Sequence, residues 1–195
     1  MAAHIEKSDL EALPVLSYQA LRSQLKSGDL LFTSGDYLLS KAIQTMTESP
    51  WSHVGIVFHI QDIDRILLLE SVEDMGVRFA PLSKYLRNYE KGRPYRGRAA
   101  IARCNDITHD MVRRLSAFGI DELTRPYDTD EIANVLARIT LGKARRKRDR
   151  EYICSELVYE CFAHAGREFR YNRRGFISPQ DIWRDEQVEL VGRIL

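Results

Sequence analysis

A cysteine at the start of one helical pattern and a histidine at the start of one strand pattern could together perform nucleophilic chemistry. Cys154 opens the segment 154–165, whose apolar residues recur at helical spacing. A helix N-terminus favours a thiolate through its dipole and its free N–H groups. His53 begins the apolar strand pattern 53–59, in which Gly55 leaves space for a neighbouring element. A thiolate beside an imidazole is the reacting pair of a cysteine hydrolase.

Each of these residues also has an ordinary structural explanation. Cysteine is most often a small buried residue, and a lone histidine is more often structural than catalytic. Cys161, two turns along the same helical pattern, is predicted to be core, and Cys104, at the end of a strand pattern, core or rim. The other histidines are predicted to lie at the surface: His4, His59, His109 and His164.

Glu70 and Tyr127 are candidates for supporting roles. Glu70 ends the very apolar strand pattern 66–69, where a carboxylate is costly unless it is paired or reaches the rim. If this strand lies beside that of His53, Glu70 would accept a hydrogen bond from the second ring nitrogen and stabilise the imidazolium. An exposed strand-end carboxylate is the alternative. Tyr127 is a weaker candidate: its hydroxyl could donate to an oxyanion, but a half-buried loop aromatic is the favoured explanation.

The elements that must position these residues follow from periodicity and turn signals. Strands are predicted over 30–32, 54–60, 66–70, 76–80 and 99–103, and the middle three are spaced as an antiparallel meander. Helices are predicted over 17–26, after Asp36, from 82, over 108–118, 130–139 and 154–165. Strands in mid-chain with helices on both sides indicate an α+β domain. We expect one domain over 1–195, with 1–27 as an N-terminal helical extension.

Composition narrows the possible functions. The 195 residues carry a net charge of +1, which gives no support for a nucleic-acid partner. Three cysteines without a CxxC pair indicate neither a disulfide framework nor a metal site. Because no metal-ligand spacing, phosphate loop or dinucleotide fingerprint is present, we predict no metal and no cofactor. Without a signal-peptide pattern or a membrane-spanning apolar run, we expect a cytoplasmic protein.

A basic run at 142–150 stands out from this balanced composition. Such a run is usually a solvated loop. It leads directly into the Cys154 helix, however, so a contact with an anionic substrate or lipid headgroup is the functional alternative. The residues that would make this contact are Arg145, Arg146 and Arg148.

Together the motifs resemble the circularly permuted, YiiX/YaeF-like branch of the NlpC/P60 superfamily of papain-like cysteine hydrolases. The matching motifs are GDLLF at 28–32, SHVGIV at 52–57, a strand ending in Glu70, PYD at 126–128, CSELV at 154–158 and SPQDI at 178–182. The cysteine helix follows the strands, as in the permuted branch, whereas it precedes them in the unpermuted family.

The resemblance implies both a fold and an activity. The fold is α+β, a small antiparallel sheet or half-barrel packed against the helix bearing Cys154. In this fold Cys154 would be the nucleophile, His53 the base and Glu70 the polar third member. The implied reaction is hydrolysis of a peptide or amide through an acyl thioester. The site residues further include three assigned to substrate binding: Trp51, Ser52 and Ser155.

Two other functions remain open at this point. A lipid-directed acyl hydrolase or acyltransferase could use the same three residues on an acyl-lipid substrate, and a binding domain could retain the fold without catalysis. The sequence ICSE at 153–156 replaces the DCSG that is typical of the unpermuted family. This difference argues against classical cell-wall peptide specificity.

Overall fold

One antiparallel sheet organises the chain. The structure is a computed structural model that describes residues 7–36, 38–47, 49–89, 91–129, 152–172 and 175–195. Six strands in these ranges form a sheet in the order β4-β3-β2-β1-β5-β6, with every neighbouring pair antiparallel. The strands are β1 Leu30–Gly35, β2 His53–Ile60, β3 Arg65–Val72, β4 Gly76–Pro81, β5 Gly97–Cys104 and β6 Val188–Arg193.

Seven α-helices in the described ranges surround this sheet. They are α1 Lys7–Ala12, α2 Tyr18–Arg22, α3 Leu38–Thr47, α4 Leu82–Arg87, α5 His109–Asp121, α6 Cys154–His164 and α7 Pro179–Trp183. A 3-10 turn, Gln61–Ile63, connects β2 to β3. None of the helices described is both long and apolar enough to cross a membrane.

The sheet is buried on both faces because its strands carry apolar residues at successive positions. Val54 and Ile56 of β2 belong to the same core cluster as Leu157 of α6. Val57, on the opposite face, packs in a second cluster with Tyr85 of α4. The cysteine helix therefore covers one face of the sheet and α4 covers the other. This arrangement confirms the predicted α+β fold with an antiparallel sheet against the Cys154 helix.

Local signals predicted most element boundaries. The side chain of Ser17 accepts from the Ala20 N–H at 3.2 Å and begins α2, although α2 ends earlier than predicted. Thr108 caps α5 in the same way. Gly166, with a φ of 90°, follows the last turn of α6. Strands β2, β3 and β4 form the predicted meander. The predicted helix 130–139 and the basic loop 142–150 lie outside the described residues.

Two elements near the C-terminus were missing from the sequence-based prediction. Helix α7 is a single short segment, capped by Ser178 and begun by Pro179. Strand β6 pairs with β5 at one edge of the sheet, and the pairing is interrupted by an irregularity between Ile101 and Ala102. Because β6 mixes charged and apolar residues, its periodicity is a weak strand signal.

Candidate active site

Cys154 is the first residue of α6, and its surroundings hold it there from two sides. The hydroxyl of Ser71 on β3 donates to the carbonyl oxygen of Tyr152 at 2.6 Å. The hydroxyl of Ser155 donates to the carbonyl oxygen of Ile177 at 2.8 Å. These bonds fix the backbone immediately before and after the cysteine. The sulfur therefore has a defined position at the positive end of the helix dipole.

The N-terminus of α6 keeps donors available near this sulfur. Ile153 occupies the N-cap position, and an isoleucine side chain has no oxygen that could accept from the first turn. The N–H groups of that turn otherwise have no partner inside the helix. They can therefore stabilise negative charge that develops beside Cys154.

His53 contacts both of the other candidate catalytic residues. Its Nε2 lies 2.9 Å from Oε2 of Glu70, and its side chain is 17% exposed. The sulfur of Cys154 also interacts with the ring, whose other nitrogen, Nδ1, is not used by Glu70. Burial lowers the pKa of His53, but the charges and hydrogen bonds of Cys154 and Glu70 outweigh it and raise that pKa from 6.5 to about 10. This environment favours the charged imidazolium form of His53.

Glu70 is held as a carboxylate by three side chains although it is fully buried. Arg78 donates to Oε1 through Nε at 3.0 Å and through Nη2 at 2.9 Å. The hydroxyl of Tyr85 and the ring of His53 both contact Oε2. Burial raises the pKa of Glu70, but the hydrogen bonds of His53 and Tyr85 and the charge of Arg78 bring it below 4.5.

Arg78 and Tyr85 were not predicted as site residues from the sequence. Arg78 on β4 pairs directly across from Glu70 on β3, and opposite charges at such cross-strand positions attract. This pairing could have indicated a contact between Arg78 and Glu70. That signal becomes visible only when the register of the β3–β4 hairpin is known. Tyr85 lies on the short helix α4, and nothing in its local sequence indicates contact with Glu70.

A cleft of about 510 Å³ opens beside His53. Tyr127 lines this cleft, and burial followed by the negative charge of Cys154 raises the pKa of its hydroxyl. Tyr127 therefore keeps its proton at neutral pH and can donate a hydrogen bond. The remaining walls combine hydroxyl, charged, aromatic and aliphatic side chains, among them Ser52, Ser71, Glu73, Asp74, Lys84, Tyr89, Tyr95, Ile43, Val72 and Met75.

The three residues assigned to substrate binding lie in different environments. Ser52 is buried but lines the cleft, and its hydroxyl donates to that of Ser40 at 3.0 Å. Trp51 is buried in the core, where its ring packs at 4.8 Å from that of Trp183. Ser155 is buried as well and serves as an anchor for α6. Substrate contact by these residues stays a prediction, and the structure gives Trp51 and Ser155 clear packing roles.

The other cysteines and histidines are separate from this cluster. Cys161 and Cys104 are buried, and burial raises the pKa of both thiols, that of Cys104 to about 12.

His59 lies at the far end of β2, and its Nδ1 is 3.2 Å from the carbonyl oxygen of Leu25. His109 and His164 are exposed, as expected for surface histidines. The predicted anion contacts, Arg145, Arg146 and Arg148, fall outside the described residues, as does His4.

Comparison with known proteins identifies the family. A family model described as "permuted papain-like amidase enzyme, YaeF/YiiX, C92 family" matches residues 24–192. The chain belongs to this C92 family. The match includes the segments that carry His53, Glu70 and Cys154, and the C92 assignment agrees with the resemblance found in the sequence motifs.

Two Escherichia coli proteins show how this C92 chain relates to known members. It is 26% identical over 184 residues to the probable lipoprotein peptidase YaeF of strain K12, covering 81% of this chain and 62% of YaeF. The chain thus spans less than two thirds of that relative's length. The crystal structure of the metalloprotein YiiX from strain O157:H7 superposes with a TM-score of 0.66 at 21% identity, covering 87% of this chain and 98% of YiiX. This second likeness concerns the fold.

The description of YiiX as a metalloprotein raises the question of metal ligands in this chain. Within the part of the chain that the structure describes, no group of three or more His, Cys, Asp and Glu side chains is arranged to hold a metal ion. His53, Glu70 and Cys154 instead form a linear chain of contacts, in which the imidazole lies between the other two groups.

Proposed function

We propose that this protein is a cysteine amidase or peptidase that uses Cys154, His53 and Glu70 to hydrolyse an amide through an acyl thioester. The observation that carries the proposal is the shared imidazole: one ring of His53 hydrogen-bonds to the buried carboxylate of Glu70 and interacts electrostatically with the Cys154 sulfur. This arrangement gives the sulfur a proton acceptor and fixes the orientation of that acceptor.

Acylation begins with a thiolate–imidazolium pair. The Cys154 sulfur attacks the carbonyl carbon of the amide, and the carbonyl oxygen takes up the negative charge of the tetrahedral intermediate. The first-turn N–H groups of α6, with Tyr127 as a further donor, would stabilise this oxyanion. His53 then gives its proton to the leaving nitrogen. The C–N bond breaks, the amine departs and a thioester remains on Cys154.

Deacylation restores the starting state. The neutral His53 removes a proton from water, and the resulting hydroxide attacks the thioester carbonyl carbon. The C–S bond breaks, the carboxylic acid leaves and the sulfur is again a thiolate beside the imidazolium. Glu70 stabilises the positive ring in both half-reactions without itself accepting the proton.

The cleft favours an amide over an acyl-lipid substrate. A lipid enzyme needs an apolar tunnel, whereas a peptide or amide substrate carries polar and charged groups that require partners. The charged residues Glu73, Asp74, Arg78 and Lys84 line this cleft together with several hydroxyl groups. The name of the YaeF relative, a probable lipoprotein peptidase, also supports a peptide-type bond as the one cleaved.

A panel of fluorogenic amides and thioesters tests the proposal. We expect turnover of at least one amide, with a covalent acyl adduct on the peptide that contains Cys154 when the reaction is quenched and analysed by mass spectrometry. Cys154→Ala should reduce kcat/KM by at least about 1,000-fold. Cys161→Ala is the matched control on the same helix, because Cys161 is buried in the core. Full activity of Cys154→Ala would disprove the assignment.

A catalytically silent binding domain is distinguished by the reactivity of the sulfur. An ordinary thiol, with a pKa of about 8.5, reacts slowly with iodoacetamide at pH 6. A Cys154 thiolate paired with imidazolium should react readily at that pH, and His53→Ala should abolish the difference. Alkylation of Cys154 only above pH 8, without turnover of any substrate, would support the binding domain instead.

A further inference from the structure

Arg78 supports the buried carboxylate of Glu70 from the side opposite His53. Its guanidinium group donates two hydrogen bonds to Oε1, while the imidazole contacts Oε2. Arg78 comes from the edge strand β4, is 18% exposed and lines the same cleft as His53. The carboxylate thus lies between the guanidinium of Arg78, which is always charged, and the imidazole of His53, whose charge depends on pH.

A permanent cation at this position has a chemical consequence for the carboxylate. A fully buried carboxyl group without a cationic partner takes up a proton, because its charged form is poorly solvated. A protonated Glu70 would no longer stabilise imidazolium. Its O–H would compete for the ring nitrogen as a donor and would favour neutral histidine. Arg78 holds its positive charge at all relevant pH values, so it can prevent this protonation whether or not His53 is charged.

We propose that Arg78 is a positioning residue of the catalytic machinery, which keeps Glu70 ionised and oriented so that His53 remains an imidazolium facing Cys154. The inference rests on the proposed function, since it gives Arg78 a role in the same reaction. Arg78 acts through Glu70 and forms no bond to the reacting atoms.

The groups around the carboxylate come from every element that packs on it. His53 approaches from β2, Arg78 from β4 and the hydroxyl of Tyr85 from α4, while Cys154 of α6 acts through the imidazole. Tyr89 lines the same cleft as Arg78. Nη1 of Arg78 is directed to the sulfur of Met75 at 2.7 Å, which leaves Nε and Nη2 for Glu70.

Three variants of the full chain separate charge, geometry and general stability. Arg78→Met removes the cation. Arg78→Lys keeps a positive charge but cannot form the pair of guanidinium hydrogen bonds to Glu70. Arg103→Met is the matched control. Arg103 likewise donates two hydrogen bonds, at 2.7 and 2.8 Å, to the buried carboxylate of Asp29. This pair lies beside the start of β1, whereas the catalytic cluster lies near the other end of that strand.

The pH dependence of kcat/KM distinguishes a positioning role of Arg78 from a purely structural one, because loss of a structural contact alone would not shift it. With Arg78→Met we expect the acid limb of kcat/KM to move up by about one to three pH units. Activity at neutral pH should fall about 100-fold. Arg78→Lys should keep the acid limb near that of the wild type while its rate falls, and Arg103→Met should leave the profile of the folded protein unchanged. An unshifted acid limb in Arg78→Met would overturn the inference.

A measurement without substrate keeps this inference separate from the proposed function. The carboxyl carbons of ¹³C-labelled glutamate, assigned with Glu70→Gln, report the titration of Glu70 directly by NMR. We expect Arg78→Met to raise that pKa by about one to three units. If the carboxyl titrates as in the wild type, the role of Arg78 is refuted whatever the activity. If its pKa rises but Cys154→Ala keeps turnover, the ionisation role of Arg78 stands and the proposed nucleophile fails.

Discussion

The hydroxyl of Ser71 donates a 2.6 Å hydrogen bond to the carbonyl oxygen of Tyr152. Ser71 directly follows Glu70 on β3, and Tyr152 lies two residues before Cys154. This one buried contact therefore connects the strand that carries the carboxylate to the segment that carries the sulfur. The distance between the proposed nucleophile and its proposed base depends on how firmly these two segments are joined.

Ser71→Ala tests this connection. The change leaves the buried carbonyl of Tyr152 without its donor, which should cost about 1–3 kcal/mol in the free energy of unfolding, measured with urea. The segment before Cys154 should also loosen, and kcat should fall by about tenfold or more. Ser116→Ala removes a comparable 2.6 Å hydroxyl–carbonyl bond within α5 and serves as the control. Equal activity in the two variants would show that the Ser71 contact does not position the nucleophile.

The raised pKa of His53 predicts how stability and turnover respond to alkaline pH. The charged ring is stabilised by its anionic partners, so this contribution to stability is complete below pH 6.5 and is lost as the pH rises through about 10. We expect turnover to decline in the same upper range, because His53 can no longer protonate the leaving group. NMR of ¹⁵N-labelled histidine measures the titration, and Cys154→Ala should lower that pKa. A wild-type ring that titrates near 6.5 would contradict the ion pair.

Tyr85→Phe removes the hydroxyl that contacts Glu70 but keeps the buried ring. A hydrogen bond to a charged group contributes more than a neutral one, so we expect a loss of about 1.5–3 kcal/mol in the free energy of unfolding. The pKa of Glu70 should rise in the ¹³C experiment, since one of the donors that lower it is gone. Tyr95→Phe is the control within the same ring cluster, where the hydroxyl accepts from Thr33 instead. A Glu70 pKa that responds equally to both variants would argue against a specific contact.

Tyr127→Phe tests the oxyanion role. Loss of one oxyanion donor typically reduces kcat by about 100- to 1,000-fold and changes KM little, because the donor acts mainly in the transition state. Tyr159→Phe, on the cysteine helix but with its ring packed against Tyr171, provides the comparison. A kcat for Tyr127→Phe within about threefold of this control would remove Tyr127 from the mechanism.

Most of the sheet could be predicted because its strands are short, apolar and separated by clear turn signals. The meander β2–β3–β4 needs only tight connections, and it was predicted from sequence. Strand β6 was missed because its pairing with β5 joins distant parts of the chain and has no local turn signal. Such pairing depends on tertiary context, which a window of neighbouring residues does not contain.

The residues of the candidate site also fall into two groups: those recognisable from the sequence and those that only the fold brings to the site. Cys154 and His53 carry chemistry that is visible from residue type and element boundary, and Glu70 attracts attention as a charge at the end of an apolar strand. Arg78 and Tyr85 become relevant only through the fold, one by register across a hairpin and the other by the packing of α4 on the sheet. The residues proposed to take part in the reaction were therefore easier to predict than those that hold them in place.

The order of the segments along the polypeptide also determines when the machinery can be complete. A ribosome synthesises His53 and Glu70 well before Cys154, and each lies on a different element of the finished sheet and its covering helix. A nascent chain that ends before α6 would carry the proposed base without the proposed nucleophile. If the proposed mechanism holds, translation delays hydrolysis until the segment that carries Cys154 has been synthesised.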